Sequence, residues 1–266
     1  MIKMLVLDID GTIFRKDYTA SQRVKDTLKR LSEKGIKVVL CTGRMYAATK
    51  LIAEELGLKT PVICYQGGLV KDFCTEEKTL HECTMPPELA RGVITELKKR
   101  NVFFNLYVND VLMVEEDSRL IRDYVDARNI EYKVIGTCDG LDLNGVNKIL
   151  AIDDDTELIE KLQKEMAEKY KDKLYVVRST PHFCEFSSLD ATKGNAVRFL
   201  AELWGIKKEE IMACGDQDND IEMLLAAGTK VAMGNGSEAL KAVADYVTDT
   251  VDNDGVPKAV EKFIDL

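Results

Sequence analysis

Short, continuous apolar runs that end in polar turns and hand over to helical stretches set the tightest limit on this fold. IKMLVLDI (2–9) has no polar face until its last residues, as expected for a strand buried between two layers. Residues 21–34 place Val24, Leu28 and Leu31 at helical spacing, with Gly35 as the stop. IKVVLCT (36–42) reads as a second buried strand, 45–56 as a helix closed by Gly57, and PVICY (61–65) as a third strand. Strand alternating with helix predicts a parallel sheet joined by right-handed crossovers, and so an α/β, Rossmann-like core.

Asp10-Gly11 between apolar segments is also a hairpin signal. A hairpin needs a returning strand at once, whereas FRKDYTAS (14–21) runs polar and leads into a helix. The segment is therefore expected at the carboxyl edge of a parallel sheet, where such folds bind ligands.

The middle of the chain has another texture. Residues 86–100 read as a helix opened by proline, and FFNLYV (103–108) with VLMVEE (111–116), split by Asn109-Asp110, as an antiparallel hairpin. A helix near 118–128, a strand at 148–153, a helix near 156–170 and a strand at 174–179 follow. This α+β block, 85–185, reads as a domain inserted into a core made of 1–84 and 186–266. From Thr192 the first texture returns: helix 193–204, strand 211–215, helix 219–227, strand 230–233, helix 237–244, a short YVT strand and a closing helix. A length of 266 residues fits two domains.

Composition removes several function classes. A formal charge of −9 weighs against a nucleic-acid partner, which demands a basic face. No apolar run approaches the roughly 18 residues that span a membrane. MIKMLVLDID meets acids within its apolar run, unlike an export signal, so a cytoplasmic location is expected. Seven cysteines without a C-x-x-C pair argue against a disulfide framework and a zinc ribbon. Cys41, Cys64, Cys184 and Cys214 fall in apolar runs and read as small buried hydrophobes. With only His81 and His182 present, a histidine-rich metal site is excluded and a Ser-His triad is disfavoured.

Four segments at strand ends carry the chemistry. Asp8 and Asp10 are two residues apart on an extended strand and so address one small volume. They repel unless a cation lies between them or one keeps a proton. In Cys41-Thr42-Gly43-Arg44, Thr42 either caps the next helix or offers its hydroxyl and nearby N–H groups to a phosphate. Thr192-Lys193-Gly194-Asn195 opens another helix. Asp216, Asp218 and Asp220 imitate the start of a calcium EF loop, but its sixth position is Ile221 and its twelfth Ala227, so that reading fails. What remains is carboxylates from two strands, a hydroxyl, an ammonium and helix N-termini. Magnesium suits such a set, because it takes oxygen ligands and commonly one or two carboxylates plus substrate phosphate. With it in place Asp8 stays ionised as a nucleophile toward phosphorus, Asp10 exchanges a proton with the leaving oxygen, and Lys193 adds a point charge.

Asp8-Ile9-Asp10-Gly11-Thr12, Cys41-Thr42-Gly43-Arg44, Thr192-Lys193-Gly194 and Gly215-Asp216-Gln217-Asp218-Asn219-Asp220 resemble the four ordered motifs of the haloacid dehalogenase (HAD) superfamily of phosphatases. The block between the second and third motifs resembles the type-two cap of its Cof-like subfamily, and the likeness covers essentially the whole chain. The resemblance implies the HAD fold and magnesium-dependent hydrolysis of a small phosphorylated metabolite. Sugar phosphates come first, then phosphorylated cofactors such as pyridoxal phosphate, with the cap closing over the leaving group. It implies Asp8 as the nucleophile that forms an aspartyl-phosphate, and Asp10 as general acid and then base. Thr42, the Gly43 amide and Lys193 would hold the phosphoryl oxygens, with Asn219 beside them. Asp8, Asp10 through its backbone carbonyl, and Asp216 would ligate magnesium, with Asp220 in support.

Many relatives carry Asn-Gly-Ala after the third strand; this chain has Gln66-Gly67-Gly68, and no role is assigned to Gln66. Arg44, His182 and Glu185 are candidates to meet the substrate. Two other functions fit the same residues: a sugar phosphomutase, which returns the phosphate to the sugar, and a phospho-acceptor switch, in which phosphorylated Asp8 signals to a partner. The Asp10 acid and the large insertion argue against the switch, which needs a long-lived acyl phosphate and no cap. Nothing in the sequence indicates a protein partner, a nucleic acid or a membrane.

Overall fold

The computed structural model describes residues 1–126 and 130–265. The chain divides into two compact units, residues 1–81 with 192–266, and residues 82–191.

The first unit opens with β1 (Met4–Leu7), α1 (Gln22–Glu33), β2 (Lys37–Leu40), α2 (Tyr46–Glu55), β3 (Val62–Cys64), β4 (Leu69–Lys71) and β5 (Thr79–Glu82). The inserted unit contributes α3 (Pro87–Lys99), β6 (Phe103–Val108), β7 (Val111–Val114), α4 (Arg119–Asp126), β8 (Lys133–Val134), β9 (Val146–Ile152), α5 (Thr156–Lys169), β10 (Leu174–Thr180) and β11 (Phe183–Ser188). The first unit then resumes with α6 (Lys193–Trp204), β12 (Ile211–Gly215), α7 (Ile221–Ala226), β13 (Thr229–Ala232), α8 (Glu238–Val243), β14 (Tyr246–Val247) and α9 (Gly255–Phe263). Positions 127–128 of the helix expected near 118–128 lie outside the described residues.

A parallel sheet of order β14-β13-β12-β1-β2 forms the centre of the first unit. Every residue of β1 is fully buried, because helices cover both faces. On one face Met4, Val6, Val39, Ile211 and Ala213 pack with Ala196, Val197 and Leu200 of α6 and Met223 and Leu224 of α7. Alternation turns Leu5 and Leu7 to the other face, and α1 and α9 pack against each other. The chain leaves β1 toward β2 on one side and returns on the other as β12. The carboxyl ends of β1 and β12 therefore flank a topological switch point, where open α/β sheets hold their ligands.

The third strand departs from expectation. β3 does not extend the parallel ladder; it heads a separate sheet of order β3-β4-β5 and meets β2's extension only through one parallel bridge, Cys41 to Ile63. The chain turns back directly after β3, so β3 pairs antiparallel with β4, and the next crossover is postponed to β12. The α-helix expected over 219–227 begins as a 3-10 turn, Asp218–Asp220, where the Asp220 carboxylate accepts from the backbone N–H groups of Asp216 and Gln217, and the α-helix starts at Ile221.

The inserted unit is a six-stranded sheet of order β10-β11-β9-β6-β7-β8. Asn109 and Asp110 join β6 to β7 with φ of 50° and 62°, the left-handed pair that a tight hairpin requires. One face carries Phe104, Leu106, Val108, Ile149, Ala151, Cys184 and Phe186 against Ala90, Val93, Ile94 and Leu97 of α3 and Ile159, Leu162 and Met166 of α5. The alternate face mixes buried Leu150 and Ile152 with buried polar groups: Lys148 pairs with Glu185 at 3.1 Å, and the Tyr107 hydroxyl donates to that of Tyr124 at 2.6 Å. No helix among the described residues is long and apolar enough to cross a membrane.

Phe186 on β11 is fully buried in the core of the inserted unit. Phe186→Ala is expected to cost about 3–5 kcal/mol, read as a lower urea midpoint for the unfolding of that unit.

Candidate active site

Three chain segments deliver carboxylates and an ammonium to one buried volume. Asp8 follows β1 directly, and its N–H donates to the Cys214 carbonyl at 3.1 Å, extending the ladder by one residue. The turn after it is closed by the Gly11 N–H on the Phe14 carbonyl and the Phe14 N–H on the Ile9 carbonyl. Gly11 has φ of +84°, and a Cβ there would lie 2.3 Å from Asp216 Oδ2, so only glycine lets this turn pass Asp216. Asp216 follows β12. Lys193 is the first residue of α6, whose N-cap is Thr192, with Oγ1 accepting from the Asn195 N–H.

The Lys193 ammonium, 1% exposed, donates to Asp8 Oδ1 at 2.6 Å and to Asp220 Oδ1 at 2.5 Å. The second oxygen of Asp220 accepts from the backbone N–H groups of Asp216 and Gln217 at 2.9 and 3.0 Å. Asp216 accepts from the Thr12 hydroxyl at 3.1 Å and the Gln217 amide at 2.9 Å, both neutral donors. One oxygen from each of Asp8, Asp216 and Asp220 lies within 4.8 Å of the others. Three buried carboxylates thus face a single buried ammonium.

The titrations follow from that imbalance. Burial, then the neighbouring charges of Asp220, Asp216 and Asp10, holds Asp8 well above the usual carboxylate range, against the pull of Lys193. Burial and the Asp220 charge push Asp216 up to about 7. Burial disfavours the Lys193 charge, but Asp220 and Asp8 overcome it and keep the ammonium protonated. A hard divalent cation fits this donor set: the donors are all oxygen, and Asp216 has no cationic partner among the described residues. Asp220 accepts on both oxygens, from Lys193 and from two backbone N–H groups, and so ties Lys193 to the turn.

Asp10 is not part of this cluster. Its side chain is 49% exposed and turned to Arg44, away from the carboxylates of Asp8, Asp216 and Asp220. Thr42 does not cap α2, whose N-cap is Met45, three residues later and without a side-chain bond. The Thr42 hydroxyl instead accepts the Arg44 N–H at 3.2 Å within a short loop. Gly43 lies under Gln66, where a Cβ would come within 2.4 Å of Nε2. Gln66 is buried, and its Oε1 accepts from Asn219 Nδ2 at 2.9 Å, so it orients Asn219 over the loop.

His182 and Glu185 belong to the inserted unit, His182 exposed with Nδ1 3.3 Å from the Asp153 carbonyl, Glu185 paired with Lys148. Sequence reasoning missed Thr12, Gln217 and Asn235, whose Nδ2 donates to the Gly11 carbonyl at 2.8 Å. Thr12 stood inside the first motif; nothing in the sequence marked Asn235.

A family model described as haloacid dehalogenase-like hydrolase matches residues 5–260. The chain is 30% identical over 270 residues to the 5-amino-6-(5-phospho-D-ribitylamino)uracil phosphatase YcsE of Bacillus subtilis, covering 99% of this chain and 96% of that protein. A haloacid dehalogenase-like hydrolase from Bacteroides thetaiotaomicron superposes with a TM-score of 0.88 at 28% identity, over 99% of this chain and all of the other. The subclass IIB sugar phosphatase BT4131 superposes with a TM-score of 0.86 at 25% identity, over 98% of each chain.

The position of Asp216 carries a sign that can be measured. A carboxyl held at about 7 when folded, against 3.8 as the ordinary value, binds its proton more tightly folded than unfolded. Its contribution to stability is therefore present at low pH and lost as pH rises from about 4 to about 7. In chelator, the thermal midpoint is expected to fall between pH 5 and pH 8, and to fall less in Asp216→Asn; equal slopes would refute the assignment.

Proposed function

The chain belongs to the haloacid dehalogenase-like hydrolases and is a phosphatase, and we propose that it is a magnesium-dependent enzyme acting on small phosphorylated metabolites through an aspartyl-phosphate on Asp8. The observation that carries this reading is the buried set of Asp8, Asp216 and Asp220 with Lys193 bonded to Asp8. Asp8, Asp216 and the Asp10 backbone carbonyl would hold the ion, which supplies, when bound, charge neutralisation for the phosphoryl oxygens.

The chain's own residues then divide the work. An Asp8 oxygen forms a bond to phosphorus as the bond from phosphorus to the leaving oxygen breaks, and that oxygen takes the Asp10 proton. That half releases the alcohol; in the second half a water oxygen bonds to phosphorus, Asp10 takes the water's proton, and the bond to Asp8 breaks, giving inorganic phosphate and the free Asp8 carboxylate. Lys193, the Thr42 hydroxyl, the Gly43 N–H and Asn219 bind the phosphoryl oxygens. Because phosphate monoesters hydrolyse so slowly unaided, with enzymatic accelerations reaching about 10²¹, this charge placement carries most of the catalytic load.

A sugar or sugar-alcohol phosphate is the leading substrate class. YcsE by its name removes phosphate from a ribityl chain, and BT4131 is a sugar phosphatase; both names describe a phosphate carried on a polyol. The inserted unit is the proposed source of substrate selection.

A panel of sugar phosphates, sugar-alcohol phosphates and pyridoxal phosphate, assayed for phosphate release with magnesium and again with chelator, tests the reading. Turnover is expected on the polyol esters and is lost in chelator. Asp8→Asn is expected to lower phosphate release at least about a thousandfold while the protein stays folded by circular dichroism; undiminished release would end the nucleophile assignment.

A further inference from the structure

Among the described residues, Arg44 is a strongly held cation near the site that has no task in that scheme. Its side chain is 9% exposed, against 49% for its ion partner Asp10. Nε donates to Asp10 Oδ2 at 2.8 Å and Nη2 to Oδ1 at 2.5 Å, a fork onto both oxygens. The guanidinium carbon stands 5.8 Å from the ring centre of Phe14 and 5.5 Å from that of Tyr18, within cation–π range. Its backbone is fixed as well: the Arg44 N–H donates to Thr42 Oγ1, and its carbonyl accepts the Tyr65 N–H at 3.0 Å. Arg44 is anchored at both ends, while Asp10 sits on an exposed turn.

We propose that Arg44 is the positioning residue of Asp10, holding the carboxyl group in one orientation through a two-pronged contact from an anchored guanidinium. The proposal rests on the reading of Asp10 as acid and then base. An exposed aspartate is free to rotate, and misplacing a proton-transfer group by about 1 Å can cost a hundredfold in rate. The fork contacts both oxygens and so fixes the rotation of the carboxyl group. It also keeps the carboxylate in place to take the proton of the incoming water. A lysine would supply charge without the two-pronged geometry.

Leaving-group dependence separates this role from a structural one. Phenyl phosphate releases a poor leaving group that needs a proton, and p-nitrophenyl phosphate a good one that scarcely does. Arg44→Ala is expected to lower kcat/KM for phenyl phosphate about tenfold to a hundredfold and that for p-nitrophenyl phosphate by less than about threefold. Asp10→Asn should show the same selectivity, and Arg44→Ala combined with Asp10→Asn should be no worse than Asp10→Asn alone. Arg44→Lys, compared at a matched thermal midpoint, should retain the selective defect and serves if the alanine variant does not fold. Equal losses on both esters for the Arg44 variants, with Asp10→Asn still selective, would overturn the proposal. Equal losses for Asp10→Asn itself would overturn the acid reading beneath it.

Discussion

The buried ammonium of Lys193 holds the site together. It joins the end of β1 through Asp8, the start of α6 through its own backbone, and the turn after β12 through Asp220. Local physics opposes such a placement. A cation at the first turn of a helix stands against the helix dipole, and an ammonium out of water costs several kcal/mol unless it is fully paired. Two carboxylates at hydrogen-bond distance offset both costs, and neither carboxylate could be buried without it. The three segments therefore fold as one electrostatic unit.

That unit remains out of balance by design of the chain. Asp220 spends both oxygens on Lys193 and on two backbone N–H groups, which leaves Asp8 and Asp216 to share what little positive charge remains. Among the described residues Asp216 receives hydrogen bonds from a hydroxyl and an amide, both neutral, and burial with the Asp220 charge pushes it up to about 7. The shortage is the reason a hard cation is proposed there. It is also why the buried cluster reads as a binding site and not as a structural salt bridge, in which the charges would cancel.

Much of this was legible in the sequence, for a physical reason. Strands buried on both faces have to be apolar throughout, so β1, β2 and β12 stand out, and a charged residue at the end of such a run can only lie at the sheet edge. Asp8 and Asp216 were readable on that ground, whereas Lys193, at the start of α6, stood out only through the likeness of its segment to the third motif. β4, β5 and β8 are too short to show a period, and β11 (FCEFSS) hides its alternation because Glu185 faces Lys148 where an apolar or solvated residue would be expected. The divergence of β3 was not readable either, since nothing local tells a strand whether its next partner is parallel or antiparallel. The side-chain pairings of the site were the least visible. Arg44 reaches Asp10 across 34 positions, Asn219 reaches Gln66 across 153 and Thr12 reaches Asp216 across 204, and no periodicity encodes such meetings. They exist because the sheet order puts β1 between β2 and β12.

The first motif can then be understood as a single mechanical solution. To bring Asp8 close to Asp216, the backbone after β1 has to cross the face of the Asp216 carboxylate, and at Gly11 the clearance is smaller than any side chain allows. Ahead of that crossing β1 ends at Leu7 and the chain bends at Ile9, so that Asp10 faces outward while Asp8 stays in. The bend thus separates two aspartates that the strand alternation alone would have aimed at the same point. The inner one is immobilised among buried charges, and the outer one keeps access to water. An outward aspartate on so tight a turn has no neighbour on its own segment to fix it. Its orientation has to come from another strand end, and the end of β2 supplies it in Arg44.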